Sequence, residues 1–116
     1  MSAMREKIEE VTIANGASLS GIVTAGRWVL VGVQMPTAWT AAGMTFANGV
    51  DGTNFFKYEN PGGTELALTV AASDYVYLDP HVTAGLRNFK VVSGTFGTQV
   101  NQGADRTIKL FFRNWR

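Results

Sequence analysis

The stretch RWVLVGVQM, Arg27 to Met35, decides how the rest of the chain is read. Val29, Val31, Val33 and Met35 alternate onto one face of an extended segment, and Trp28, Leu30 and Gly32 onto the other. A period of two is the signature of a β-strand. Apolar side chains on both faces predict a strand in the middle of a sheet, or one covered by a partner. Pro36 removes a backbone donor and ends it.

The same pattern extends in both directions. Upstream, VTIA (11–14) sets Val11 and Ile13 against Thr12, and Asn15-Gly16 supplies a turn. GIVTAG (21–26) is a second short piece, with Ile22 as its expected core residue. Downstream, MTFA (44–47) turns Met44 and Phe46 inward before the glycine turns at Asn48-Gly49 and Asp51-Gly52. NFFKYE (54–59) runs into the turn NPGG (60–63), and ELALTV (65–70) alternates with Leu66, Leu68 and Val70 inside. DYVYLD (74–79) opposes Val76 and Leu78 to Tyr75 and Tyr77. DPHVTAG (79–85) reads as one helical turn, with Asp79 as N-cap, Pro80 at the first position and Gly85 as the stop. FKVVSG (89–94) resumes the strand pattern, and RTIKLFFRN (106–114) ends it with Ile108, Leu110 and Phe112 on one face.

About eight short strands, spaced roughly 8–12 residues apart with turns between them, predict an all-β fold. An antiparallel β-sandwich and a small barrel both satisfy that pattern. Residues 1–10 have no second apolar stripe. They are expected to form an N-terminal arm, helical or extended, ahead of one domain over residues 11–116.

The bulk composition narrows the function classes. A chain of 116 residues holds one core, not two. Charged residues make up 16%, below the roughly 25% of ordinary soluble domains, which suits a protein packed against neighbours. The net charge of +1 creates no strong field, so neither nucleic acid nor a membrane surface is an expected partner. Without cysteine there is no disulfide, thiolate metal site or Cys nucleophile. MSAMREKIEE has no apolar h-region, which argues against a signal peptide and for a start in the cytoplasm.

Candidate chemistry is sparse. His81 is the sole histidine, and Ser18, Ser20, Ser73 and Ser93 all lack a nucleophile-elbow context. The acids Asp51, Glu59, Glu65, Asp74, Asp79 and Asp105 sit beside turns or strand ends, without metal-ligand spacing. In NGVDGTNF (48–55), Asp51 is the only carboxylate, whereas a calcium loop repeats acids at alternate positions. The expectation is a turn, no catalytic residue, no metal and no cofactor. Arg106, Lys109, Arg113 and Arg116 are expected to make the outward face of the last strand basic. Trp115 is expected against the edge of the fold or a neighbouring subunit.

Three stretches carry a resemblance: LVGVQMPTAWTAAGMTFANGVDGTNF (30–55), YVYLDPHVTAGLRNFKVVSGT (75–95) and VNQGADRTIKLFFR (100–113). Their distinctive combinations are Met35-Pro36 with Trp39-Thr40, and Asn101-Gln102 with Arg106-Thr107. Together they resemble small jelly-roll proteins encoded among the head and tail genes of tailed bacteriophages. The charged front MREKIEE and the aromatic, basic end FFRNWR depart from that pattern. The resemblance implies a jelly-roll β-sandwich without a catalytic site, acting as a capsid decoration (cement) protein or as the base of a head spike. It implies the major capsid protein as partner, a homotrimer as assembly, and a place on the capsid surface after synthesis in the bacterial cytoplasm. From their placement alone, as ends without a clear place in one monomer's core, the two chain ends are expected to carry the contacts, through Met4, Arg5, Arg113, Trp115 and Arg116. The alternative is a carbohydrate-binding module or tail-associated adhesion domain, with Tyr58, Tyr75 and Tyr77 as a glycan platform.

Overall fold

A computed structural model of the chain describes residues 5–114. In chain order the elements are β1 (Glu6–Ile13), β2 (Val23–Thr24), β3 (Trp28–Gln34), β4 (Met44–Gly49), β5 (Phe56–Lys57), β6 (Tyr75–Tyr77), α1 (Pro80–Thr83), β7 (Asn88–Ser93) and β8 (Arg106–Asn114). They form two antiparallel four-stranded sheets, β1-β8-β3-β6 and β2-β7-β4-β5. The molecule is an all-β sandwich.

Inward side chains of both sheets fill the space between them. Ile13, Leu30, Val33, Ile108, Leu110 and Phe112 come from the first sheet, and Val23, Met44, Phe46, Phe89 and Val91 from the second. Phe89 joins the layers, edge-on to Phe46 at 5.4 Å and tilted against Phe112 at 6.5 Å. Burying each such side chain stabilises the fold by roughly 1.5–3 kcal/mol.

β3 departs from simple alternation. Leu30 pairs with Phe112 and Gly32 with Phe111, so β3 advances two residues where β8 advances one. The extra residue makes a bulge, and past it the faces exchange. Leu30 and Val33 therefore both point into the core, although an unbroken strand would separate them. Gly32 is turned outward, where a Cβ would meet the Tyr75 hydroxyl at 2.0 Å. The Tyr75 ring lies across the place a side chain would occupy.

Three other expectations change. Val23, not Ile22, is the core residue of its segment: Val23 pairs opposite Phe89, and Ile22 is 50% exposed. ELALTV forms no strand. Leu68 exchanges backbone bonds with Met44 at 2.8 and 3.1 Å, and Glu65 bridges Glu59, each as an isolated bridge. Residues 6–10, read from the sequence as part of an arm, run as the first half of β1 along β8.

α1 follows its sequence signals. The Asp79 carboxylate accepts from the His81 N–H at 2.9 Å, and Pro80 opens the turn. Buried Thr83 donates its hydroxyl to the Leu30 carbonyl at 2.6 Å, pinning the turn to β3 beside the bulge.

Candidate functional site

The most distinctive sequence combinations meet in space. Buried Gln102 accepts from the Thr40 N–H at 2.8 Å and donates to the Thr40 carbonyl at 3.1 Å and the Ser93 hydroxyl at 2.8 Å. Arg106 donates to the Gln102 side-chain oxygen at 3.1 Å and to the Thr40 hydroxyl at 3.2 Å. The Trp39 indole donates to the Ala42 carbonyl at 3.1 Å, holding the same loop. These residues fasten the loop after β3 to the segment leading into β8. Their spacing serves the fold.

The Asp51 loop is likewise closed on itself. Its carboxylate accepts from the Thr53 and Asn54 N–H groups at 2.9 and 2.8 Å and from the Asn54 side chain at 2.8 Å. Those donors, the Asn54 backbone foremost, lower its pKa to about 2. Ser20 and Ser93 are also engaged, accepting from the Val91 N–H and the Gln102 amide at 2.8 Å each. Among the described residues no group of three or more His, Cys, Asp or Glu is placed to hold a metal ion.

The two sheets differ on their outer faces. In the second, Thr45, Ala47 and Val92 alternate with core residues yet are almost completely buried. The outer face of the first is open. The pairing register arranges it in rows across the strands. Ile8, Phe111, Gly32 and Tyr77 form an apolar row. Glu10, Lys109, Gln34 and Tyr75 form a polar row on one side of it. Glu6, Arg113 and Val29 form the row on the other side. Tyr77 is 83% exposed, Ile8 67% and Tyr75 54%. A shallow depression of about 220 Å³ lies between Ile8, Gln34, Tyr75, Lys109 and Phe111.

Charged side chains frame the apolar row. Arg113 reaches Glu6 at 3.2 Å and stands 5.3 Å from the centre of the Phe111 ring, while Lys109 lies 3.9 Å from Glu10. Such a plateau of exposed apolar and aromatic groups with polar edges is the usual anatomy of a contact surface.

Of the contact residues expected from the sequence, Arg113 belongs to this face. Arg5 is exposed at the entry to β1, its carbonyl accepting from the Asn114 N–H at 3.1 Å. Met4, Trp115 and Arg116 lie outside the described residues. Arg106 does not join the outward basic stripe: it shares the inward parity of Ile108 and is half-buried against Gln102. The tyrosines divide. Tyr75 and Tyr77 share the open face, but Tyr58 lines a separate groove of about 650 Å³ with Glu59, Glu65 and His81. There its hydroxyl donates to the Val82 carbonyl at 2.5 Å, and burial raises its pKa.

Ile8 and Phe111 were not singled out by sequence reasoning. The signal existed: each is an apolar residue on the polar side of an alternating segment, Ile8 opposite in parity to Val11 and Phe111 to Leu110. No protein-family model, curated protein or solved structure matches the chain.

Proposed function

We propose that this protein is a non-catalytic structural component of a tailed-phage virion, a jelly-roll decoration protein that works by assembly on the capsid. The observation that carries the reading is the contrast between the two sheets, one outer face covered and the other an open apolar plateau. The strand pairing supports the jelly-roll part. β1 is bonded to β8, β2 to β7, β3 to β6 and β4 to β5, as when one long antiparallel hairpin wraps into two sheets. A jelly roll of eight strands in two sheets is built in that way, and viral capsid and lectin domains share it. The fastening of Thr40 to Gln102 and Arg106 gives the resembling segments a common structural purpose. Placing the molecule on the major capsid protein rests on the resemblance in those segments.

The glycan alternative loses one member of its platform, because Tyr58 sits in another groove with its hydroxyl engaged. Co-sedimentation with undecorated capsids of the encoding phage tests the proposal, with a glycan array run in parallel. Saturable pelleting at a fixed ratio per capsid is expected. Absence of pelleting, together with glycan binding that disappears in Tyr75→Ala, would instead establish the adhesion reading.

A further inference from the structure

We infer that one end of the sandwich is a second contact surface, which takes an acidic segment of another protein through Arg5, Arg27 and Arg87. This surface is separate from the open plateau and does not depend on the capsid reading. The other cations of the described residues are engaged within the chain. Lys7, Lys57 and Lys109 each lie within 3.9 Å of a glutamate, and Lys90 lies over the Phe55 ring at 4.9 Å. Arg106 is bonded to Gln102 and Thr40, and Arg113 is paired with Glu6. Arg5, Arg27 and Arg87 are exposed, and among the described residues no carboxylate lies within ion-pair distance of their guanidinium groups.

A run of backbone contacts gathers the three arginines at one end. The Arg5 carbonyl accepts from the Asn114 N–H at 3.1 Å, and Asn114 pairs with Trp28, the residue after Arg27. The Trp28 N–H donates to the Ala25 carbonyl at 2.9 Å, and the Ala25 N–H to the Arg87 carbonyl at 2.7 Å. Like charges so placed repel one another, and a bound anion relieves that repulsion. The carboxylates at this end are already engaged: Glu6 holds Arg113, and Asp51 accepts from donors of its own turn. Two exposed apolar residues stand beside the arginines. The Asn48 side chain accepts from the Arg87 N–H at 2.7 Å, and Asn48 pairs with Phe56, which is 65% exposed. Val50, 78% exposed, follows Gly49, which pairs with Asn88. Arginine and aromatic groups are enriched in protein interfaces, and the guanidinium fork fits a carboxylate with two bonds. Nucleic acid fits less well. Proteins that bind it strongly make roughly six to ten phosphate contacts, and neither Val50 nor a net charge of +1 serves that purpose. Asp74 and Asp105 precede β6 and β8 at the opposite end, so the attraction is local and adds little steering at a distance.

An NMR titration of the full chain tests this, using an octapeptide of six glutamates around two central leucines. The same peptide with lysines for glutamates, and an octathymidylate strand, serve as controls. Backbone amide shifts are expected to move in segments 25–28, 49–51 and 87–88, with a dissociation constant at or below about 1 mM in low salt. Arg27→Gln and Arg87→Gln together should weaken binding about fivefold or more. Both side chains are exposed and outside every ion pair of the described residues, so circular dichroism should report an unchanged fold. Ile8→Ala, on the plateau, should leave this binding as it is. No shifts at ~5 mM peptide, shifts confined to other surfaces, equal binding of the lysine peptide, or an unchanged affinity in the double variant would overturn the inference. Tighter binding of octathymidylate would also overturn it, and would make this end a nucleic-acid site. Capsids play no part in the measurement, so its failure leaves the capsid reading where it stood.

Discussion

The side-chain amide of Gln102 does the work of a neighbouring strand, giving Thr40 both the acceptor and the donor that a paired peptide would supply. Gln102→Leu keeps the bulk but leaves the Thr40 backbone groups and the Ser93 hydroxyl without partners. Stability should fall by about 3 kcal/mol in urea denaturation, the cost of several buried unsatisfied groups. Asp51 makes a different kind of local statement. Its carboxylate is held at a pKa of about 2 by donors within its own turn. A depressed folded value means that its contribution is present above the ordinary carboxylate range near 3.8 and fades as pH falls through about 2. An NMR titration of the Asp51 carboxyl carbon should show its midpoint well below the ordinary carboxylate value near 3.8. In Asn54→Ala the midpoint should rise towards the ordinary value, since the side-chain donor is lost.

At the level of elements, the sequence was most legible where alternation runs unbroken. β8 shows Ile108, Leu110 and Phe112 inward as its pattern predicts, and the Asp79-Pro80 turn forms where its cap and proline place it. Legibility failed where backbone geometry shifts the parity. A bulge in β3 is invisible to a count of hydrophobic residues, because Val, Leu and Val read alike on either face. The two-residue β2 is too short for its own pattern to choose between Ile22 and Val23, so its pairing with β7 decides. The open face was half legible: Tyr75 and Tyr77 stand out in DYVYLD, but their meeting with Ile8 and Phe111 depends on long-range register. Gly32 follows from the bulge, and Gly32→Ala should lift the Tyr75 ring from the sheet. A loss of about 1 kcal/mol in stability and altered Tyr75 ring shifts by NMR are expected. At the other end of the sheet, Lys7 points inward from edge strand β1, lying 5.4 Å from the Phe112 ring centre and 5.7 Å from that of Trp28. An inward charge on an edge strand discourages further strand pairing. Lys7→Val should therefore raise light scattering on storage, without a matching loss of folded signal.

The whole molecule is a sandwich with unequal outer faces. The covered face buries residues that a free sheet would expose, and the open one displays two tyrosines, an isoleucine and a phenylalanine framed by Glu6, Glu10, Lys109 and Arg113. A chain with net charge +1 and few charged residues has little long-range steering, so its contacts are expected to depend on fitted apolar area. Raising salt from about 0.05 to 0.5 M, which shortens the Debye length several-fold, should change the proposed capsid binding by less than about tenfold. Loss of one exposed apolar group from the plateau, as in Ile8→Ala, should weaken that binding more.

The proposed decoration role is open to one decisive test, cryo-electron microscopy of undecorated tailed-phage capsids after incubation with the purified protein. Ordered extra density is expected at repeated symmetry-related positions on the capsid, with a β-sandwich fitting each lobe. Bare capsids beside folded, unbound protein would contradict it.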